Sequence, residues 1–305
     1  MLLLAFGKVD TNNIVSQNMT LMKTILVPTN FTDVGKNALS YATILAQKLK
    51  AKITLIHAYP NFTHPTEDAG QVYHKQAELF KKEAEQKLKS LCEEVESTSS
   101  CTSDFINVGG VAKEVIVSYA NETKPDILVI GTESLSPIDR IIFGTITGKV
   151  MKEVDCPLLI VPEDVPYKPF QKLAFAIDYH DSDVEEIRFV EKLADKFAAE
   201  VHVIHVVADD ENIPYEERFF EYFKKNVLKA AQSENITFKL IRGGNIVSEL
   251  EKYAKKEAID ILAVAKTKKN LLEKLLFGSV SQRLFYHTHI PLLIFQARDK
   301  FDLEK

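Results

Sequence analysis

The feature that most constrains the fold of this chain is an internal duplication of long period. Asp126-Ile127-Leu128-Val129-Ile130 recurs as Asp260-Ile261-Leu262-Ala263-Val264, and Phe143-Gly144-Thr145 as Phe277-Gly278-Ser279. Pro157-Leu158-Leu159-Ile160 recurs as Pro291-Leu292-Leu293-Ile294, and all three pairs are 134 residues apart. Earlier segments align at 148 instead, with Asn30-Phe31-Thr32-Asp33 over Asp178-Tyr179-His180-Asp181 and Lys52 to His57 over Glu200 to His205. The second copy is therefore 14 residues shorter between its second and third strands. Copies of roughly 130 to 140 residues are large enough to close a core each, so the pattern reads as two domains and not as a solenoid of short units.

Each copy alternates short apolar runs with helical spacing. Lys23 to Pro28 reads as a buried strand, and Asp33 to Lys50 carries Val34, Ala38, Leu39, Ala42, Leu45, Ala46 and Leu49 at helical intervals. Ile53 to Ala58, Asp104 to Val108, Asp126 to Ile130 and Pro157 to Val161 read as further strands, separated by helices over Asp68–Glu96, Val111–Thr123 and Thr145–Glu153. Strict alternation predicts parallel strands joined by right-handed crossovers, hence an α/β fold of two tandem, doubly wound, five-stranded parallel sheets. The expected organisation is an extension over 1–21, domains at 22–162 and 171–297, a linker at 163–170 and a tail at 298–305. Pro162, Pro166 and Pro169 make the connection stiff.

A net charge of −5 offers no general attraction to a phosphate backbone, and no nucleic-acid motif is present. Three cysteines, Cys92, Cys101 and Cys156, have neither metal spacing nor an even count, as in a reducing cytoplasm. Met1 to Phe6 is apolar but too short to span a bilayer and lacks the basic start of a secretory signal. It reads as a loose extension, and no membrane partner is expected. His202 and His205 lie three apart on a strand and face opposite sides, while His287 and His289 have no ligand neighbours in sequence, so no metal site is expected. No serine or cysteine stands beside an identifiable base, and no catalytic residue is assigned. Lys266, Lys268, Lys269 and Lys274 concentrate charge in one loop of the second copy, which reads as a solvated loop or an anion-recruiting one.

Ligands of open α/β sheets settle beyond the carboxyl ends of the strands, which here are the loops after strands one and four. Gly131-Thr132-Glu133-Ser134 follows strand four, and after nine residues Gly144-Thr145-Ile146-Thr147 opens a helix. Glycines allow close backbone approach, and free amides at a helix start favour an anion. The same residues also fit a plain strand end and helix cap, so local chemistry leaves both readings open.

The openings Ile25-Leu26-Val27-Pro28-Thr29-Asn30 and Ala174-Phe175-Ala176-Ile177-Asp178, with the closing Cys156-Pro157-Leu158-Leu159-Ile160-Val161, resemble the universal stress protein family over residues 22 to about 297. In its ATP-binding branch, strand one ends in aspartate, and the phosphate loop is glycine, two residues, glycine, nine residues, then glycine and serine or threonine. The resemblance implies a first-copy site for ATP or another adenine nucleotide, with Mg2+, comprising Pro28, Thr29, Asn30, Ile53 against the base, Gly131, Thr132, Ser134, Gly144, Thr145, Ile146 and Thr147. Ser134 replaces the second glycine and Asn30 the aspartate, which weakens that site. The second copy keeps Asp178 and Gly278, Ser279 and Ser281, but Ala265 and Lys268 replace the loop glycines, and Lys268 fills the pocket or pairs with the anion. The family's habit of dimerising through its last strand implies an intramolecular pseudo-dimer, Pro157–Val161 against Pro291–Phe295, and leaves a homodimer of tandem chains open. The expected role is a cytoplasmic nucleotide-sensing or interaction module without efficient turnover. A scaffold with two dead pockets and a slow ATPase are the alternatives.

Overall fold

The computed structural model describes residues 22–60, 67–133, 145–179, 183–207, 213–230, 235–266 and 290–296. The first half runs β1 (Thr24–Pro28), α1 (Asp33–Leu49), β2 (Lys52–Tyr59), α2 (Glu67–Thr98), β3 (Ser103–Gly109), α3 (Ala112–Thr123), β4 (Ile127–Thr132), α4 (Thr145–Glu153) and β5 (Leu158–Pro162). The second runs β6 (Lys172–Ala176), α5 (Asp183–Phe197), β7 (Glu200–Val207), α6 (Ile213–Ala230), β8 (Ile236–Arg242), α7 (Ile246–Glu257), β9 (Ile261–Lys266) and β10 (Leu292–Gln296). Ile25, Leu26 and Val27 are buried on both faces of the sheet, which is why a continuous apolar run, and not an alternating one, encodes β1.

Each half orders its strands third, second, first, fourth, fifth, with every pairing inside a half parallel. The halves do not end in separate sheets. Fifth strand meets fifth strand, and β5 pairs antiparallel with β10 to give one sheet of ten strands. The register is Leu292 to Ile160, Leu293 to Leu159 and Ile294 to Leu158. Since Leu293 is the repeat of Leu159, a pseudo-twofold axis passes between them, and the contact is self-complementary as in a symmetric dimer. α1, α2, α5 and α6 cover one face; α3, α4 and α7 cover the other.

Repetition extends to backbone torsions. The left-handed residues Phe31, Lys50 and Lys124 recur as Tyr179, Ala198 and Ala258. It extends to side chains as well. Asp126 Oδ2 accepts hydrogen bonds from Lys23 N and Thr24 N, and Asp260 Oδ2 accepts them from Gln171 N and Lys172 N, so one carboxylate ties each half's first strand to its fourth.

The proline-rich connection is strapped down along its length. Asn37 Nδ2 on α1 donates to the carbonyls of Pro162 and Val165, and the Tyr41 hydroxyl donates to that of Pro166. Tyr167 stands edge-on to Tyr41, Phe170 packs on Tyr41 and on Phe197 of α5, and Lys168 lies 2.7 Å from Asp260. Burial, then Asp260 and Tyr167, raise the Tyr41 hydroxyl to about 12, so it remains a donor across the neutral range.

Candidate functional site

β1 and β4 are neighbours although β2 and β3 intervene in sequence, so the loops that follow them leave the sheet side by side at the switch point. After Pro28 the chain is held by three bonds to Thr29, a residue 8% exposed. Its N–H donates to Ile56 O, its carbonyl accepts from His57 Nδ1, and its Oγ1 accepts from Phe31 N. Asn30 Oδ1 accepts from Thr32 N and from Thr32 Oγ1 at 2.7 Å. A backbone N–H only donates, so the oxygen is turned into this loop and the Asn30 amide NH2 is directed elsewhere.

Phe31 then takes φ 64, a region in which a bulky L-residue is strained. Its ring lies 4.5 Å from the His57 imidazole, and Lys87 Nζ sits 5.4 Å from its centroid on the cation–π side. The strained turn is thus fixed by a histidine that grips the preceding carbonyl and by a ring contact. Burial pushes the His57 pKa below its usual value, the bond to Thr29 opposes this, and Lys87 adds to it. The folded imidazole therefore takes up a proton less readily than the unfolded one. Its contribution is intact above the ordinary histidine range and is lost as pH falls through that range toward the lower folded value. Denaturation midpoints are expected to drop from about pH 7.5 to about pH 5, and to drop less in a Lys87→Met chain. Equal drops in the two proteins would show that Lys87 does not govern this turn.

Gly131 closes the other side. A Cβ there would lie 2.5 Å from Val34 O and 2.7 Å from Val34 Cγ1, so glycine is required for the first turn of α1 to approach the end of β4. The Gly131 carbonyl accepts from Thr147 Oγ1 at 3.3 Å, which binds the first turn of α4 to the same point, and Thr132 O accepts from Glu163 N. Thr147 is buried, while Ile146 is exposed. Pro28, Thr29, Asn30, Gly131, Thr132, Ile146 and Thr147 thus come to one end of the sheet. Ile53 does not join them. It is the second residue of β2, pairs with Ile25 and Ser103 and is 0% exposed. The residue level with Pro28 is Ile56, three positions or about 10 Å further along the strand. Ser134, Gly144 and the side chain of Thr145 lie outside the described residues, as do Lys268, Gly278, Ser279 and Ser281.

The second half rebuilds the turn with opposite charge around it. His205 Nδ1 bonds the Ile177 carbonyl at 3.0 Å, and Tyr179 takes φ 57 with its ring 4.1 Å from His205. Where the first half brings Lys87, the second brings Glu216, whose carboxylate is 3.6 Å from His205 Nε2, together with Phe219 and Phe223 against Tyr179. Asp178 N donates to Asp183 Oδ2, and buried Ala265 stands where the first half has Gly131. The Phe31–His57 and Tyr179–His205 pairs escaped attention in the sequence, although both members recur at the 148-residue offset and could have been found there. Among the described residues no cluster of His, Cys, Asp and Glu could hold a metal ion, and no helix is long and apolar enough to cross a membrane.

The sequence profile of the universal stress protein family matches residues 22–162 and 169–296. A universal stress protein of Methanocaldococcus jannaschii is 29% identical over 163 residues, 52% of this chain and 94% of that protein. One of Thermus aquaticus is 30% identical over 142 residues, 46% of this chain and 99% of its own length. Among solved structures, a universal stress protein from Archaeoglobus fulgidus aligns over 91% of this chain and 99% of its own with a TM-score of 0.71 at 14% identity. A Pseudomonas aeruginosa protein described as a putative universal stress protein covers 90% and 93% with a TM-score of 0.61 at 13% identity. The duplicated five-strand order and the two profile matches lead to one assignment: the chain belongs to the universal stress protein family, carrying two of its units in tandem.

Proposed function

We propose that this tandem universal stress protein works in the cytoplasm as a sensor that holds an adenine nucleotide in its first half, without efficient turnover, and that its second half does not hold one. The observation that carries this reading is the junction at Gly131. The ends of β1 and β4 and the first turns of α1 and α4 converge there, which sets the Thr29 to Thr32 turn beside the start of α4, where a helix N-terminus favours an anion. Lys87 adds positive charge beside that turn in the first half, whereas Glu216 disfavours an anion at the equivalent place in the second. Asn30 fits a role as donor to a ribose or phosphate oxygen. It does not fit a divalent-cation ligand, because its carbonyl oxygen is bonded to Thr32.

The test is calorimetric titration of the full chain with ATP, with and without magnesium, beside Asn30→Asp. Saturable binding of one nucleotide per chain, unaffected by magnesium in the parent and strengthened by about tenfold in the variant only when magnesium is present, is the expected result. No saturable heat in either protein would overturn the reading and leave the scaffold for protein partners in its place.

A further inference from the structure

A second surface lies on the flank of the second half, at the outer edge of the sheet. Between α7 and the free edge of the sheet runs an open groove of about 640 Å³. Its floor includes Thr237, Lys239 and His202, the last buried and bonded through Nδ1 to the Tyr253 hydroxyl at 2.8 Å. Lys172 enters from β6, Arg242 from β8, and Lys252 and Lys256 from α7.

The duplication supplies an internal control. Register and offset place Thr24, Ile106, Gly109, Ser118 and Glu122 of the first half at the positions of those five cations. The first half instead closes the same surface with one ion pair, Lys52 to Asp104, to which Thr54 Oγ1 also donates. Asp104 has become Thr237, and Lys52 has become Glu200. Five cations now face three carboxylates in a protein whose net charge is −5.

Most of these charges are already answered. Lys252 pairs with Glu249, Lys256 with Glu257 and Arg242 with Glu217, while Glu200 lies 3.5 Å from His202 Nε2. Lys172 and Lys239 have no carboxylate partner among the described residues. A single lysine on an edge strand is the ordinary guard against sheet-to-sheet pairing, but that role calls for no cations on β6 or α7.

We propose that this groove docks an acidic peptide segment of a protein partner, which adds as a strand to β8. Two observations select a peptide over another polyanion. Among the described residues β8 has a strand on one side only, so its outward N–H and C=O groups match a peptide backbone and not a phosphodiester. The three carboxylates in the groove repel an unbroken row of phosphates, yet they tolerate a strand that presents an acid toward Lys239 of β8, while Lys172, two strands inward on β6, adds attraction at longer range. This surface is independent of the nucleotide reading, since it lies on the other half and at the outer edge of the sheet.

The test uses the full chain and a fluorescein-labelled peptide of about ten residues alternating glutamate and valine, followed by polarisation. Saturable binding is expected, weakened about tenfold by Lys239→Glu on β8, less by Lys172→Glu two strands inward, and lost when the peptide amides on one edge are N-methylated. Amide exchange should slow at β8 and not at β3. Because neither lysine side chain has a carboxylate partner among the described residues, the variants are expected to keep the parent's circular dichroism and melting. Four results would overturn the proposal. These are no binding, equal binding of a lysine–valine peptide, parental affinity in the double variant, or single-stranded DNA or polyphosphate competing as well as the peptide while N-methylation has no effect.

Discussion

A Gly131→Val chain is expected to lose about 3 kcal/mol of stability and all measurable nucleotide binding. The Cβ alone would lie 2.5 Å from the Val34 carbonyl oxygen, and that atom is backbone in the first turn of α1. Relief therefore requires α1 or the end of β4 to move. Either movement breaks the Thr147 Oγ1 to Gly131 O bond and displaces the turn that holds Thr29 and Asn30. Gly35→Ala is the graded comparison. Its Cβ would meet Asn30 Oδ1 at 3.2 Å and Thr29 Oγ1 at 3.3 Å, contacts that side-chain adjustment relieves, so a smaller loss is expected there. Urea midpoints and ATP titration heats of the three proteins decide the matter. A parental midpoint and parental heat in Gly131→Val would mean that the loop after β4 is neither tightly packed nor part of the site.

Leu293→Asp should do still more damage, at the pseudo-twofold axis. Leu293 is 0% exposed and pairs across the axis with Leu159, itself buried, so the new carboxylate enters an apolar core cluster. Losing the packing and burying an unpaired charge together are worth on the order of 5 kcal/mol, and part of the strain is relieved if β5 and β10 separate. The expected signature is a larger radius of gyration in solution scattering and two unfolding transitions in place of one. The strap from Asn37 to Phe170 keeps the halves tethered even then. An unchanged radius with a single transition would show that the strap and helices, not the strand pairing, unite the halves.

Much of this architecture was legible because duplication and buried parallel strands leave strong traces in sequence. The last-strand pairing, Pro157–Val161 against Pro291–Phe295, is present with Leu158–Ile160 in register against Leu292–Ile294. What the resemblance could not locate was depth along a strand. Ile53 was placed against a base by its position in the resemblance, but a ligand at the carboxyl ends meets the level of Ile56 and His57, not the second residue. The anchoring of the strap was hidden for a different reason. Three prolines signal stiffness locally, whereas its anchors Tyr41, Phe197 and Asp260 are remote in sequence and polar or aromatic for reasons visible only in the fold. The Phe31 turn was hidden because nothing in the residue type announces a positive φ at phenylalanine.

The antiparallel seam between β5 and β10 carries a consequence for how such a protein can change over time. Two identical subunits meeting on a twofold axis must mutate together, since each substitution appears on both sides. Here the same seam joins halves encoded separately, so Gly131 and Ala265, or Asp104 and Thr237, have been free to part company without unmaking the contact that holds them. The seam also forms at an effective concentration set by the chain and not by the cell, and its strand edges are already occupied. The union of the halves therefore does not dissolve on dilution, and at this edge a stray related unit finds no vacancy to exchange into.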